Sequence, residues 1–323
     1  MESCYIKARN AVIKKLGRDN EYFPLVTLGL CALLYKYKEH EKDVLDLFNR
    51  MDLYLDNNDV NSIIKKNNIK RLEFDEEYED ILNEHSIICS GLSNSGKFCD
   101  YSKGRAIPVY TNPVLICECS FSSFRTLNNF IHEFNHLVKS IDNGFEIYNE
   151  EDRIGYSVRT GVEMNTTLFC PETRSTIEII DFSTLDEAIN VCEVTEMTES
   201  LLMLDGLIPD SDVNSYYNSL DKDKMIKDEG YDEIVKLFRP LWENDVFHNL
   251  IEDNIYSGNF SEIINSFENI MGEGTFEGFA NLLDDYDDEV SMYDNPKKKK
   301  QLKLKINKFI NNFNNLTNFV YKK

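Results

Sequence analysis

The stretch Ile131-His132-Glu133-Phe134-Asn135-His136-Leu137-Val138 decides how the rest of the chain is interpreted. Four residues turn an α-helix by about 400°, so His132 and His136 lie on one face and Glu133 lies about 100° away. Two imidazoles on one face can bind a single metal ion. Phe130, Phe134 and Leu137 give this helix an apolar surface, which predicts a buried position. We expect the helix to start at Ser122 or Ser123 and to stop at Asn143-Gly144.

The pattern His132-Glu133-x-x-His136 is the signature of zinc metallopeptidases. A catalytic zinc takes three protein ligands and keeps one position open for water. Glu133 would act as the general base toward that water, while Zn²⁺ lowers the pKa of the water and polarises a carbonyl. The alternative is a buried helix whose histidines only make hydrogen bonds.

Composition limits the class of protein. The chain has 323 residues, of which 42% are hydrophobic and 28% are charged, as in a soluble globular protein of one or two domains. Its net charge of -22 argues against nucleic acid as a partner, because a phosphate backbone would be repelled. The polar N-terminus shows no secretion signal, so we expect a cytoplasmic protein with reduced cysteines. Cys117 and Cys119 would share one face of a strand, as a soft-metal or redox pair or in ordinary packing.

The predicted fold class is α+β, mainly α. Residues 1–70 form a helical N-terminal region, 71–205 a catalytic core in which a small sheet leads into the metal helix, and 206–323 a helical C-terminal region. Within the core, Glu73–Glu84 is predicted to be an acidic helix, and Ser86–Cys89 a short strand. The run Gly91–Phe98 almost matches a phosphate-binding loop. Phe98 replaces the hydroxyl that would bind magnesium, which favours a glycine-rich turn.

A strand is predicted over Arg153–Met164, where apolar and polar residues alternate. A strand beside a zinc cleft can align an extended peptide, so Arg159 and Tyr156 are candidates for substrate contact. Plain exposed sheet surface is the alternative for both.

Glu187 is the candidate for the third zinc ligand, on a helix that starts at Ser183-Thr184. It shares an apolar face with Val191 and Val194, where a buried acid needs a cation, whereas Glu193 falls on a face predicted to be solvated with Asn190. Thr184-x-x-Glu187 is equally a capping box, in which Glu187 would bond the first amide of its own helix. The need of two histidines for a third ligand favours Glu187 as that ligand.

Together, His132-Glu133-Phe134-Asn135-His136 and the later Leu185-Asp186-Glu187 resemble the gluzincin branch of the zincins over roughly residues 105 to 205. The chain resembles, within this branch, cytosolic His-Glu-x-x-His proteins of low-GC Gram-positive bacteria. The resemblance implies a zincin-like small sheet beside the metal helix, with His132, His136 and Glu187 as zinc ligands and Glu133 as base. Val191 stands where many gluzincins have an acid that orients a histidine, so Asn190 or Glu193 would have to substitute. Tyr156 and His248 are the candidates for the transition-state donor, although an interhelical hydrogen bond is the alternative for His248.

The C-terminal tail is basic and amphipathic. Lys297–Lys300 opens a helix with apolar residues on one side and no acidic residue. Such a helix can lie on an anionic membrane, but in so acidic a chain we expect it to dock on the protein itself.

These patterns predict a zinc-dependent metallopeptidase that hydrolyses peptide bonds in a peptide or protein substrate. The alternative is a zincin-like binding or scaffold protein with a structural or vestigial metal. The patterns do not indicate an oligomeric state.

Overall fold

A computed structural model describes residues 1–55, 105–107, 114–116, 123–148, 153–170, 175–226, 232–256, 259–293 and 295–320. The predicted helix Glu73–Glu84, the strand Ser86–Cys89, the glycine-rich turn Gly91–Phe98 and the Cys117–Cys119 pair lie outside these residues. The described residues form a mainly helical α+β structure with two small sheets.

The first three helices are α1 (Glu2–Leu16), α2 (Phe23–Lys36) and α3 (Glu41–Arg50). Gly17 ends α1, with a φ of 84° and its N–H donating to the Ile13 carbonyl. Helix α2 is apolar on nearly all sides and is buried from Leu25 to Leu34. It is therefore the helix around which this part of the chain packs.

The two helices that carry the predicted zinc ligands are α4 (Ser123–Lys139) and α5 (Ser183–Ser200). Helix α4 packs against α2, and so does the later helix α6 (Ser211–Ser219). The buried apolar residues of α4 are spaced as i, i+3, i+4 and i+7, which places them on one inward face of the helix. They are Phe124, Leu127, Phe130, Ile131, Phe134 and Leu137.

The prediction that α4 stops at Asn143-Gly144 is wrong. The helix ends at Lys139, and Asn143 and Gly144 lie inside strand β4 (Ser140–Tyr148), which follows directly. The Ser140 hydroxyl donates to the His136 carbonyl at 2.7 Å. This bond satisfies a carbonyl of the last turn, so no glycine is needed to end the helix.

A three-stranded sheet contains β1 (Asp52–Tyr54), β2 (Arg105–Ile107) and β3 (Val114–Ile116) in the order β1-β3-β2. Strand β3 lies in the centre, parallel to β1 and antiparallel to β2. Both β2 and β3 contact α4. The prediction of a small sheet that leads into the metal helix is confirmed for β2 and β3. Strand β1 is a correction, because it lies within residues 1–70, which the sequence predicted to be helical.

A second sheet has the order β4-β5-β6-β7, with β5 (Arg153–Thr160), β6 (Glu163–Cys170) and β7 (Ser175–Asp181). The predicted single strand Arg153–Met164 is thus two strands joined by a turn at Gly161-Val162. Gly161 has a φ of 59°, which breaks the strand although the alternation of side chains continues through it.

The remaining helices are α7 (Lys222–Ile226), α8 (Asp232–Trp242), α9 (Asp245–Ile255), α10 (Phe260–Met271), α11 (Thr275–Asp288) and α12 (Pro296–Val320). All six lie in the region 206–323, which the sequence predicts to be helical. Helices α8 to α12 share one core that is rich in phenylalanine and includes Trp242.

The basic helix α12 docks on the protein. Its apolar side, with Leu302, Ile306 and Phe313, is buried in the core shared by α8 to α12. Lys299 also pairs with Glu233 of α8 at 2.6 Å. The sequence patterns favour this docking on the protein over binding of the helix to an anionic membrane. Among the described residues, no helix is long and apolar enough to cross a membrane.

The chain divides into two compact units. Unit 1 comprises Met1–Ser157, Thr167–Glu178 and Glu193–Asp228, and unit 2 comprises Val158–Thr166, Ile179–Cys192 and Glu229–Lys323. Each unit is formed by three separate segments of the chain. The division into 1–70, 71–205 and 206–323 stays a prediction.

Candidate metal centre

The two histidines converge as the sequence predicts. Their Nε2 atoms lie 3.2 Å apart, and their rings meet edge to face with centroids 4.8 Å apart. Both side chains are partly buried on α4. Converging ring nitrogens on adjacent turns are the arrangement that one metal ion needs.

The distance between the nitrogens fits zinc. Two Zn–N bonds of about 2.05 Å at a tetrahedral angle of about 109° place the nitrogens about 3.3 Å apart. The observed 3.2 Å is close to that value, so little movement would be required. The same distance also allows one protonated Nε2 to donate a hydrogen bond to the other, which is the alternative stated from the sequence.

Glu133 is partly buried on α4 and follows His132 directly, so its side chain leaves the helix about 100° from the histidine face. Glu133 therefore lies next to the helix face that carries the two histidines and not on that face. This is the position expected of a base that serves the same centre without binding the metal.

Glu187 lies on α5 in unit 2 and is partly buried. The capping-box alternative for it is wrong. The Phe182 carbonyl accepts the first intrahelical bond, from the Asp186 N–H at 2.9 Å, so Phe182 is the N-cap residue and Thr184 is already inside the helix. The Thr184 N–H instead donates to Asp284 Oδ1 at 3.3 Å. Glu187 falls beyond the third position of the helix, where a capping box requires its acid.

The surroundings of Glu187 within unit 2 are acidic. Burial raises the pKa of Asp287, and the negative charges of Asp288, Asp284 and Glu187 raise it further. A bound cation would relieve this repulsion between carboxylates. The role of Glu187 as third ligand stays a prediction.

Glu193 does not lie on a solvated face, and neither does Asn190. Glu193 is 1% exposed and Asn190 is 0% exposed. Glu193 Oε2 accepts hydrogen bonds from Asn135 Nδ2 and from Lys139 Nζ, each at 2.8 Å. The prediction failed because helical spacing alone does not reveal that α4 supplies a buried cation and an amide to this carboxylate.

Arg159 is neither exposed sheet surface nor open to a substrate. It is 3% exposed, its Nη1 donates to the Gly161 carbonyl at 2.9 Å, and its guanidinium lies 5.8 Å from the centre of the Phe260 ring. Burial lowers the pKa of Arg159, and the charge of Asp186 opposes that shift. Arg159 therefore helps to hold the turn at Gly161. Tyr156 lies in β5 and stays a candidate for substrate contact and for the transition-state donor.

Asp186 is a structural residue that the sequence did not identify. It is 1% exposed, and its Oδ1 accepts from the Val162 N–H at 2.8 Å. A Cβ on Gly161 would lie 2.0 Å from the same oxygen. Asp186 thus connects the start of α5 to the turn between β5 and β6. In the sequence, only Gly161 indicates this close approach.

His248, the other candidate donor, lies on α9 with its ring 4.6 Å from the Trp242 ring of α8. Its Nε2 is 3.8 Å from Glu252 Oε1 on its own helix. The contact of His248 with Trp242 is ring packing, and the interhelical hydrogen bond stated as the alternative for His248 stays a prediction.

Comparisons of the chain with protein-family models, with curated proteins and with solved structures gave no match. The residues of the site therefore carry the functional argument.

Proposed function

We propose that this protein is a zinc-dependent metallopeptidase of the gluzincin type, with His132, His136 and Glu187 as zinc ligands and Glu133 as the general base. The observation that carries the proposal is the 3.2 Å separation of the two histidine Nε2 atoms on the helix that also presents Glu133. The loss of the capping-box alternative for Glu187 supports the third ligand.

The metal and Glu133 have different roles in the proposed hydrolysis. Zn²⁺, when bound, lowers the pKa of water and polarises the scissile carbonyl. Glu133 accepts a proton from the attacking water and later donates it to the leaving amine. His132 and His136 would bind the metal through neutral imidazole nitrogens, the form in which histidine acts as a ligand.

A peptide substrate is supported by the position of β4. This strand begins at Ser140, four residues after His136, and lies at one edge of the sheet formed by the described strands β4 to β7. An edge strand offers backbone N–H and C=O groups with which an extended peptide can pair.

Cleavage of a mixed peptide library tests this function, with zinc content measured in every sample. Wild type should cleave with about one zinc per chain. Glu133→Gln should keep the zinc and lose about 10²- to 10⁴-fold in rate, because it removes only the general base. Glu199→Gln is the matched control, since Glu199 is exposed on α5.

Two results would contradict the proposal. Cleavage by Glu133→Gln at the wild-type rate would remove the general base from the mechanism. A wild-type protein that holds zinc yet cleaves nothing would favour the non-catalytic binding or scaffold protein.

A further inference from the structure

A buried ionic network lies on α4 beside the histidine face. Lys139 is 0% exposed and donates to Glu193 Oε2 at 2.8 Å. Asn135 Nδ2 donates to the same oxygen at 2.8 Å, and Asn135 Oδ1 accepts from the Tyr37 hydroxyl at 2.6 Å. The network therefore joins α4 to α5 and to the residue that follows α2.

Stability alone does not account for such a network. Two charges lose their hydration when they are buried, and a pair of apolar side chains of similar volume is often as stable or more stable. A buried pair does require defined geometry, since each partner left alone would be an uncompensated charge. The network thus constrains orientation more than it adds stability.

The orientation that it constrains is the rotation of α4 about its own axis. Asn135 and Lys139 are four residues apart and share a face, as His132 and His136 do. The two faces are offset by three residues, which corresponds to about 60° around the helix. Any rotation that moved the imidazoles would also pull Asn135 and Lys139 away from Glu193.

Charge gives the network a second effect. Lys139 is three residues from His136, so it is one turn of helix away from a predicted ligand of a divalent cation. A cation there disfavours a second cation, and the more strongly so in a buried environment. Glu193 neutralises that charge at a distance of 2.8 Å.

We propose that Glu193, acting through Lys139 and Asn135, is a positioning residue for the metal ligands of α4. Among the described residues, its hydrogen-bond partners are these two side chains, so it acts on the histidines through the helix and not by contact with an imidazole. This inference rests on the proposed function. Glu193 then orients the histidines, the role that an acid has in many gluzincins at the position where this chain has Val191.

Binding of Co²⁺ to the metal-free full-length protein tests the inference, because its visible absorption reports both affinity and ligand geometry. The test variant is Lys139→Met/Glu193→Met, which removes both charges and keeps the volume. We expect it to fold, with a Co²⁺ Kd that is about 10- to 100-fold higher than that of wild type and an altered absorption band. Lys139→Met/Glu193→Gln keeps an acceptor for Asn135 and should recover part of the affinity.

The matched control is Lys7→Met/Glu41→Met, which removes an ion pair between α1 and α3 and should leave the Co²⁺ Kd and spectrum unchanged. If the test variant does not fold, Tyr37→Phe replaces it. That change removes only the hydroxyl bonded to Asn135, and it should raise the Kd by a smaller amount.

The outcomes separate the two proposals. If wild type binds no Co²⁺, the proposed function fails and the positioning role fails with it. If wild type binds Co²⁺ and the variants of the network bind it with the same Kd and spectrum, only the positioning role is overturned.

Discussion

Gly29 of α2 lies against the ring of Phe130 on α4, where a Cβ on the glycine would be 2.3 Å from Phe130 Cδ1. Phe130 is 0% exposed, so its ring cannot move out into solvent. The absence of a side chain at Gly29 thus allows α2 to approach the helix that carries the two histidines.

Gly29→Ala should lower the free energy of unfolding by about 1–3 kcal/mol, because overpacking forces the two helices apart. Gly278→Ala is the matched control, because Gly278 is exposed on α11 with nothing within 4 Å of an added Cβ. There the same change should stabilise by about 0.5–1 kcal/mol through helix propensity. Urea unfolding of both variants measures the two effects, and equal changes would contradict this account.

Phe182 has a φ of 65°, a conformation that strains a residue with a Cβ, at the N-cap of α5. Its ring packs on Phe260 and Phe276, with centroids 5.8 Å and 5.7 Å away. Phe182→Ala and Phe182→Gly both remove the ring, but only glycine relieves the strain. Thermal unfolding should show both variants less stable than wild type, with glycine about 1 kcal/mol more stable than alanine. Alanine at least as stable as glycine would argue against strain at this position.

The pairing of α12 with α8 should contribute an acid-sensitive part of stability. The pKa of Glu233 is lowered by its hydrogen bond from Lys299 and also by that from Tyr286. A carboxyl whose pKa is lower in the folded state stabilises fully above its unfolded value of about 4.5, and this contribution disappears as pH falls through the folded value.

Glu233→Gln should therefore lower stability at neutral pH and have no effect at pH values below the folded-state pKa. The loss should be less than about 1 kcal/mol, because the Glu233 side chain is 49% exposed and solvent screens the pair. Chemical unfolding at neutral and acid pH measures it. A loss that is the same at both pH values would show that charge is not its cause.

Sequence patterns predicted the helices because each has an inward apolar face that local spacing reveals. The convergence of His132 and His136 was predictable for the same reason, since the contact lies within one helix. The burial of Glu193 was not, because Lys139 and Asn135 are more than fifty residues away along the chain. The end of α4 was also missed, because an ordinary side chain, Ser140, caps it in place of the expected glycine. A single sequence does not reveal contacts between elements that are far apart along the chain.

The most direct test of the central claim is the zinc stoichiometry of protein purified without chelator. The samples are wild type, Glu187→Ala, Glu187→Gln and the control Glu199→Ala, in which an exposed acid of the same helix is removed. The account predicts about one zinc per chain in wild type and in the control, and loss of zinc in both Glu187 variants. Wild-type protein without zinc would contradict the metal centre itself. Full zinc occupancy in both Glu187 variants would contradict the assignment of Glu187 as the third ligand.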